Sequence, residues 1–296
     1  MSLRIVIVGS GGRLGAALAR QWGALGDEII GFNHASLDLA DDGELRAKLG
    51  ALEFDVLVNC AAQTNVDRCE THPDEAQRLN AGAVRTIAEI CAAKQRRCVH
   101  ISTDYVFDGA QTRPYTEEDP ALPISVYGQS KRDGEVALLA VNDRHLAVRV
   151  SWVFGPDRPS FVDGILKRAF ESEQVDAIGD KVAVPTYTID AAQLLYPLLA
   201  EHPVGGLLHL SNAGQCTWQE YGQHAIDCAV AAGVPMLGLT VAALKMADLK
   251  AFIAKRPVYT ALSTEKLSRL TGSQPRDWKA AVQEYVEAYW APSRRS

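Results

Sequence analysis

The 296-residue sequence has no CxxC pair among its six cysteines and no HExxH among its seven histidines. A zinc site is therefore not expected. Cys60, Cys69, Cys91, Cys98, Cys216 and Cys228 are too scattered for a disulfide framework. Reduced, mostly buried thiols in a cytoplasmic protein are the expectation. The first apolar stretch, Ile5 to Val8, ends in glycines and is too short for a signal peptide. The uncharged run from Cys228 to Leu244 is broken by Gly233, Pro235 and Gly238 and falls short of a membrane span. Net charge is −6 with no local Lys/Arg stripe, which argues against a nucleic-acid partner.

What is present is ordinary globular usage, with 47% hydrophobic and 22% charged residues. The length suits two domains, or one large domain with an appendage. Short apolar runs alternate with helical patterns over the first half. Strands are expected at Arg4–Val8, Glu28–Asn33, Phe54–Asn59, Cys98–Ser102 and Leu146–Ser151. Helices are expected at Leu14–Leu25, Asp74–Lys94 and Val126–Leu139. This βαβα order predicts an α/β fold with a doubly wound, Rossmann-type parallel sheet. After Trp152 the rhythm breaks at Pro156, Pro159, Pro185, Pro197, Pro203 and Pro235. The expected division is a dinucleotide-binding domain over 1–152 with a returning segment near 187–211. A smaller substrate-binding region would take 153–186 and 212–296, with a polar tail from Ser293 that frays.

Gly9-Ser-Gly-Gly12-Arg-Leu-Gly15 follows the first strand and opens a helix. Glycines let the backbone approach a pyrophosphate, and the helix N-terminus offers it unpaired N–H groups. Gly9, Gly12, Leu14 and Gly15 are thus cofactor candidates. The second strand ends at Asn33 without the acid that would grip a ribose 2′-hydroxyl. Arg13 in the loop has the donor fork for a 2′-phosphate. NADP(H) is therefore favoured, while Asn33 can still bond a hydroxyl, which keeps NAD(H) open. Asp38 and Leu39 have the spacing to hold the adenine. Asp38 would serve equally as a cap for the helix starting near Asp41.

Of nine tyrosines only Tyr127 has a lysine four places on, Lys131. On a helix that puts both on one face. An ammonium there would pull the phenol's pKa down and ready it for proton transfer. The ordinary alternative is a surface i,i+4 pair. The nucleotide-binding context reverses that preference. The fourth strand runs into Thr103, whose hydroxyl can polarise a carbonyl, and Asp104, which can accept from a sugar hydroxyl. Trp152, after the fifth strand, would cover the sugar from the edge of the sheet, the alternative being a core tryptophan.

These residues carry a resemblance. Ser102-Thr-Asp-Tyr-Val-Phe-Asp-Gly109, Tyr127-Gly-Gln-Ser-Lys-Arg-Asp-Gly-Glu135, Ser151-Trp-Val-Phe-Gly155 and Arg256-Pro-Val-Tyr-Thr-Ala-Leu262 resemble the extended short-chain dehydrogenase/reductases. Within them the chain is most similar to the dTDP-4-dehydrorhamnose reductase family, from about residue 3 to 290. The resemblance implies hydride transfer from NAD(P)H to C4 of a nucleotide-linked 4-keto-6-deoxy sugar. Thr103, Tyr127 and Lys131 would be catalytic, with Tyr127 and Lys131 also touching the cofactor. Ala62, Gln63 and Thr64 would line the cofactor after the third strand. Asp104, Trp152 and Arg256 would contact the sugar nucleotide. Tyr259 departs from the family's usual asparagine. Ala17 stands where some members carry a magnesium-binding glutamate at a dimer interface, so no metal is expected, while a homodimer stays open. The runner-up is a non-catalytic, NADP-binding regulatory subunit resembling the β subunit of methionine adenosyltransferase. An epimerase or dehydratase of the same superfamily comes third.

Overall fold

The computed structural model describes residues 2–200, 204–249 and 251–294. Pro203 and the last two residues of the tail lie outside the described residues. The elements run β1 (Arg4–Val8), α1 (Arg13–Ala24), β2 (Glu28–Phe32), α2 (Asp42–Gly50), β3 (Val56–Asn59), α3 (Val66–Thr71), α4 (Pro73–Gln77), α5 (Ala83–Ala93), β4 (Arg97–Thr103), α6 (Val126–Val141) and β5 (Leu146–Val150). They continue as β6 (Val153–Phe154), α7 (Phe161–Glu171), β7 (Val175–Ile178), β8 (Val182–Ala183), β9 (Thr186–Tyr187), α8 (Thr188–Ala200), β10 (Gly206–His209), β11 (Cys216–Thr217), α9 (Trp218–Ala231), β12 (Val241–Leu244), α10 (Glu265–Thr271) and α11 (Trp278–Tyr285).

Six strands form one parallel sheet in the order β10-β5-β4-β3-β1-β2. The strand sequence alone explains why both faces are covered. In β1, Ile5 and Ile7 point to one side and Val6 and Val8 to the other, as a period of two requires. Ile5 and Ile7 pack with Leu18 and Trp22 of α1 and Leu195 of α8. Val6 and Val8 pack with Leu45 of α2, Ile87 of α5 and Leu138 of α6. The order reverses direction at β1 and β3, so the crevice of such a sheet opens at their carboxyl ends. A second core gathers Ile165, Tyr187, Tyr221, Ile226, Val282 and Tyr285, from α7, β9, α9 and α11.

The single helix expected over 74–94 is instead α4, a π-helical turn at Arg78–Gly82, and α5. Periodicity could not see this, because the buried Ala76, Asn80, Val84, Ile87 and Cys91 keep three- and four-residue steps across the turn. Its effect is local. It aims Asn80 so that its Oδ1 accepts from the Gln63 N–H at 2.8 Å and its Nδ2 donates to the Gln63 carbonyl at 3.0 Å. π turns often mark functional places. The short helix α3, capped by Asn65 on the Arg68 N–H, was not expected. No described helix is long and apolar enough to cross a membrane.

The sheet's β10 edge buries His209. Its Nδ1 lies 3.1 Å from the Tyr115 carbonyl and its Nε2 3.4 Å from an Arg149 nitrogen. Burial, with Arg149 adding to it, presses its pKa down to about 3. Burial also lowers His100 and His145. A histidine held neutral in the fold contributes stability that is fully present above the unfolded pKa of ~6.5. That stability is lost as pH falls from there towards the folded value. At pH 5, His209 alone should cost about 2 kcal/mol. The melting temperature should therefore drop by several degrees between pH 7 and pH 5, and His209→Gln should shallow that drop. An unchanged slope in thermal melts would contradict the neutral assignment.

Candidate functional site

A cleft of about 1310 Å³ opens at the carboxyl ends of the central strands. Pockets for one small ligand span about 300–1,000 Å³, so this one has room for two. Towards β2 it is walled by the glycine loop and Asn33, and towards β5 by Thr103, Tyr127, Lys131 and Trp152.

The glycine loop is built by close approach. Gly9 has φ +84°, and a Cβ on it would stand 2.7 Å from the Ala61 N. Gly12 is exposed and begins α1 with no side-chain cap. The unpaired N–H groups of the first turn are then available to an anion. Gly9, Gly12, Arg13 and Leu14 line the cleft, as do Ala62, Gln63 and Thr64 on the β3 side. Gly15 does not. It lies beneath, where any Cβ would strike the Gly9 carbonyl oxygen, so it shapes the loop and does not touch a ligand. Asp38 and Leu39 also line the cleft. Asp38 accepts from the Ala40 N–H at 2.8 Å, whereas the cap of α2 is Asp41. This cradle fits a dinucleotide: bare glycine backbone, a helix start without a cap, and no acid at Asn33.

At the β5 side, α6 starts at its cap Ser125, whose Oγ accepts from the Gly128 N–H at 3.2 Å. Tyr127, Lys131 and Glu135 follow at four-residue intervals on the buried face. Burial pushes the Tyr127 phenol well up, and the Thr103 hydroxyl beside it offsets part of that. Lys131 is pressed down to about 8 by burial, against the pull of Glu135. Its Nζ donates to the Ile101 carbonyl at 2.7 Å and lies 3.0 Å from His100 Nε2. The expectation that Lys131 lowers the tyrosine's pKa is thus not met. Its ammonium is turned to the backbone of β4 and to His100, and desolvation governs the phenol.

Asp104 also departs from its expected part. It borders the cleft, yet its carboxylate already accepts from the hydroxyls of Thr103 (3.1 Å), Ser151 (3.1 Å) and Thr260 (2.5 Å). Burial lifts its pKa, and the buried Lys181 is the first of the groups that pull it back. Lys181 itself is lowered to about 8 by burial. Asp104 therefore orients Thr103 more than it awaits a sugar hydroxyl. Arg256 is not on the cleft wall. It grips Asp67 of α3 at 2.9 and 3.1 Å, lies over the Phe252 ring, and holds the Asp67 carboxyl down at about 2. Arg13 borders the cleft, but its guanidinium donates to the carbonyls of Arg158 and Pro159. A free fork for a 2′-phosphate was expected there.

Trp152 does reach the cleft. Its φ is +41°, which a bulky residue rarely adopts. Its ring stacks with Tyr221 at 6.2 Å, and its Nε1–H is buried without a partner among the described residues. The core alternative is thus half right: one face packs, while the polar edge is unsatisfied. Sequence reasoning missed His100, Lys181 and Ser151. The first lies on β4 one residue before Ile101, but only the bend of the lysine brings them together. Ser151 bonds Asp104 and Lys181 acts on it through its charge, both brought near it by the tertiary fold alone.

A parallel sheet with a dinucleotide cradle at its switch point defines an NAD(P)-type α/β fold, and comparison narrows it. The sequence model of the RmlD substrate binding domain family matches residues 3–290, and the chain belongs to that family, the dTDP-4-dehydrorhamnose reductases among the extended short-chain dehydrogenase/reductases. It is 34% identical to the dTDP-4-dehydrorhamnose reductase of Mycolicibacterium smegmatis, over 97% of this chain and 86% of that one. It is 35% identical to a probable dTDP-4,6-dihydroxy-2-methyloxan-3-one 4-ketoreductase of Streptomyces antibioticus, over 99% of each. The crystal structure of dTDP-4-dehydrorhamnose reductase from Bacillus anthracis, in complex with NADP, superposes with a TM-score of 0.89 at 28% identity, covering 96% of this chain and 99% of that one.

The site depends on α6 lying close to the segment after β4. A Cβ on Gly128 would strike the Tyr105 carbonyl oxygen. Gly128→Ala should cost about 1–3 kcal/mol by overpacking. It should also move Tyr127 away from Thr103, so activity should fall by more than the loss of folded protein explains. Melting curves and activity per folded molecule would check this.

Proposed function

We propose that the protein reduces the 4-keto group of a nucleotide-linked deoxysugar with NAD(P)H. The observation that carries this reading is the convergence of Thr103, Tyr127 and Lys131 on one wall of the cleft that the glycine loop opens. NAD(P)H, when held by the glycine loop, would supply the hydride that reduces C4 of the sugar. Tyr127, kept protonated by burial, donates its proton to the C4 oxygen, turning ketone into alcohol. Thr103 would turn its one hydroxyl proton from the Asp104 carboxylate to the same oxygen, which draws electrons from C4. Lys131, one turn on in the same helix face, borders the cofactor side of the cleft, and its ammonium would reach a ribose hydroxyl there by turning from the Ile101 carbonyl and His100. Trp152 borders the place of the sugar, and a turn of its ring would bring its buried Nε1–H, which has no partner among the described residues, to the sugar as donor. Asp104 holds Thr103, and Arg256 shapes the rim through Asp67.

The names of the relatives support this substrate class, and the NADP complex of the Bacillus anthracis protein supports NADP(H). Asn33 leaves room for NADH as well. In this reading residues 1–152 with the returning segment near 187–211 hold the cofactor, and 153–186 with 212–296 close over the sugar. Six unpaired thiols support the cytoplasm as its place.

The test is NADPH oxidation against a panel of dTDP-linked 4-keto-6-deoxy sugars. Turnover with one of them is the expected result. Binding of NADPH without oxidation by any of them would turn the reading to a regulatory subunit. Tyr127→Phe should retain NADPH affinity and lose about 10²–10⁴ in kcat. Trp152→Phe should keep the melting temperature within a few degrees and raise KM for the sugar nucleotide about tenfold, as the loss of one hydrogen bond predicts. A falling melting temperature with unchanged KM would make Trp152 a packing residue only.

A further inference from the structure

The segment between β6 and α7 is fastened along its length to α1 and to itself. Asp157 accepts from Arg20 Nε and Nη2 at 3.2 and 3.1 Å. The carbonyls of Arg158 and Pro159 accept from the Arg13 guanidinium. Ser160 and Asp163 close a capping box at the start of α7. One group of the segment is left over. The guanidinium of Arg158 is exposed and has no hydrogen bond or ion pair among the described residues. It is not aimed at bulk solvent alone. A Cβ on Gly11 would stand 3.8 Å from Arg158 Nη2 and 3.3 Å from Asn33 Cβ. Arg158 therefore hangs over the glycine loop beside the end of β2, and it borders the same cleft.

We propose that Arg158 is the residue that reads the 2′-phosphate of NADP(H), on a loop held in place by Arg13. This rests on the dinucleotide reading of the cleft. Three features of the structure point to it. The cation is unpaired, so no internal bond must be broken to bind an anion. It adjoins Asn33, where a dinucleotide fold brings the adenosine ribose and where no carboxylate opposes a phosphate. Its loop is braced at Asp157, at both carbonyls and at Ser160, so little order is lost on binding. A guanidinium fork suits a phosphate dianion in two parallel hydrogen bonds. Arg13, the arginine of the loop motif, acts one step back as a positioning residue. Arg78 also lines the cleft, without a partner among the described residues, but on the π turn and not over Gly11.

Titrations of the full chain with NADPH, NADH and 2′,5′-ADP test this without turnover. Arg158→Ala should weaken NADPH and 2′,5′-ADP at least tenfold and NADH less than twofold. Its melting temperature should match that of wild type, because the side chain is exposed. Arg158→Lys should restore part of the NADPH affinity. Arg13→Ala should weaken NADPH as well, and the double variant should be little worse than Arg158→Ala, since the two act through one contact. Equal losses for NADPH and NADH would overturn the 2′-phosphate assignment and move the grip to the shared pyrophosphate. Unchanged NADPH affinity in Arg158→Ala, or a selective loss in Arg78→Ala instead, would also overturn it. If wild-type protein bound neither cofactor, the dinucleotide reading itself would fail, and that outcome is separate.

Discussion

Glu135 and Arg149 form a bidentate ion pair at 2.8 and 2.7 Å, with side chains only 4% and 2% exposed. Glu135 also accepts from Ser102 Oγ at 2.5 Å. One carboxylate thus ties α6 to β5 and to β4. Those are the helix of Tyr127 and Lys131 and the strand of Thr103. Such a pair gains little over an apolar core, but removing one partner leaves a buried charge and costs about 3–5 kcal/mol. Its value here is geometric. It fixes the depth and rotation of α6, and with them the distance between a phenol and a hydroxyl that belong to different elements.

The same logic extends outward. Ser102 is bound to Glu135, and the next residue, Thr103, is bound to Asp104. Asp104 is bound in turn to Ser151 and Thr260, and the charge of Lys181 acts on it. The threonine hydroxyl is therefore held from β4, from the end of β5 and from the segment before α10. This buried network carries charge of both signs, so each member depends on the others for its solvation. Loops that look independent in sequence are coupled through it. Thr260 and Lys181 are thereby tied to the strand ends that carry Thr103 and Ser151.

Burial and charge divide the two ends of the cleft. Near β5 the titratable groups are desolvated: Tyr127 is pushed up and Lys131 is pressed down. That suits proton transfer, which needs a proton retained until the partner oxygen becomes basic. Near β2 the cleft is lined by the glycine loop, by Asn33 and by the exposed Arg158, which suits binding of a solvated anion. One fold supplies both because the strands end at a common edge while the helices and loops beyond them differ in depth.

The sequence by itself determined the parallel sheet, the glycine loop and the Tyr127–Lys131 face. Each is a local pattern whose meaning is set by backbone geometry: two-residue alternation, a turn that tolerates no Cβ, and a four-residue helical step. The local pattern of the helix over 74–94 also hid its π turn, since its buried residues keep α-helical steps from Ala76 to Cys91. The roles of Arg13, Asp104 and Arg256 were beyond such patterns. Each carries a charge, and a charge takes whatever partner the fold brings nearest. Arg13 meets carbonyls some 145 residues away, Asp104 meets Thr260, and Arg256 meets Asp67. Only the tertiary structure decided those pairings, because ion pairs and hydrogen bonds act over a few ångströms of space and have no period along the chain.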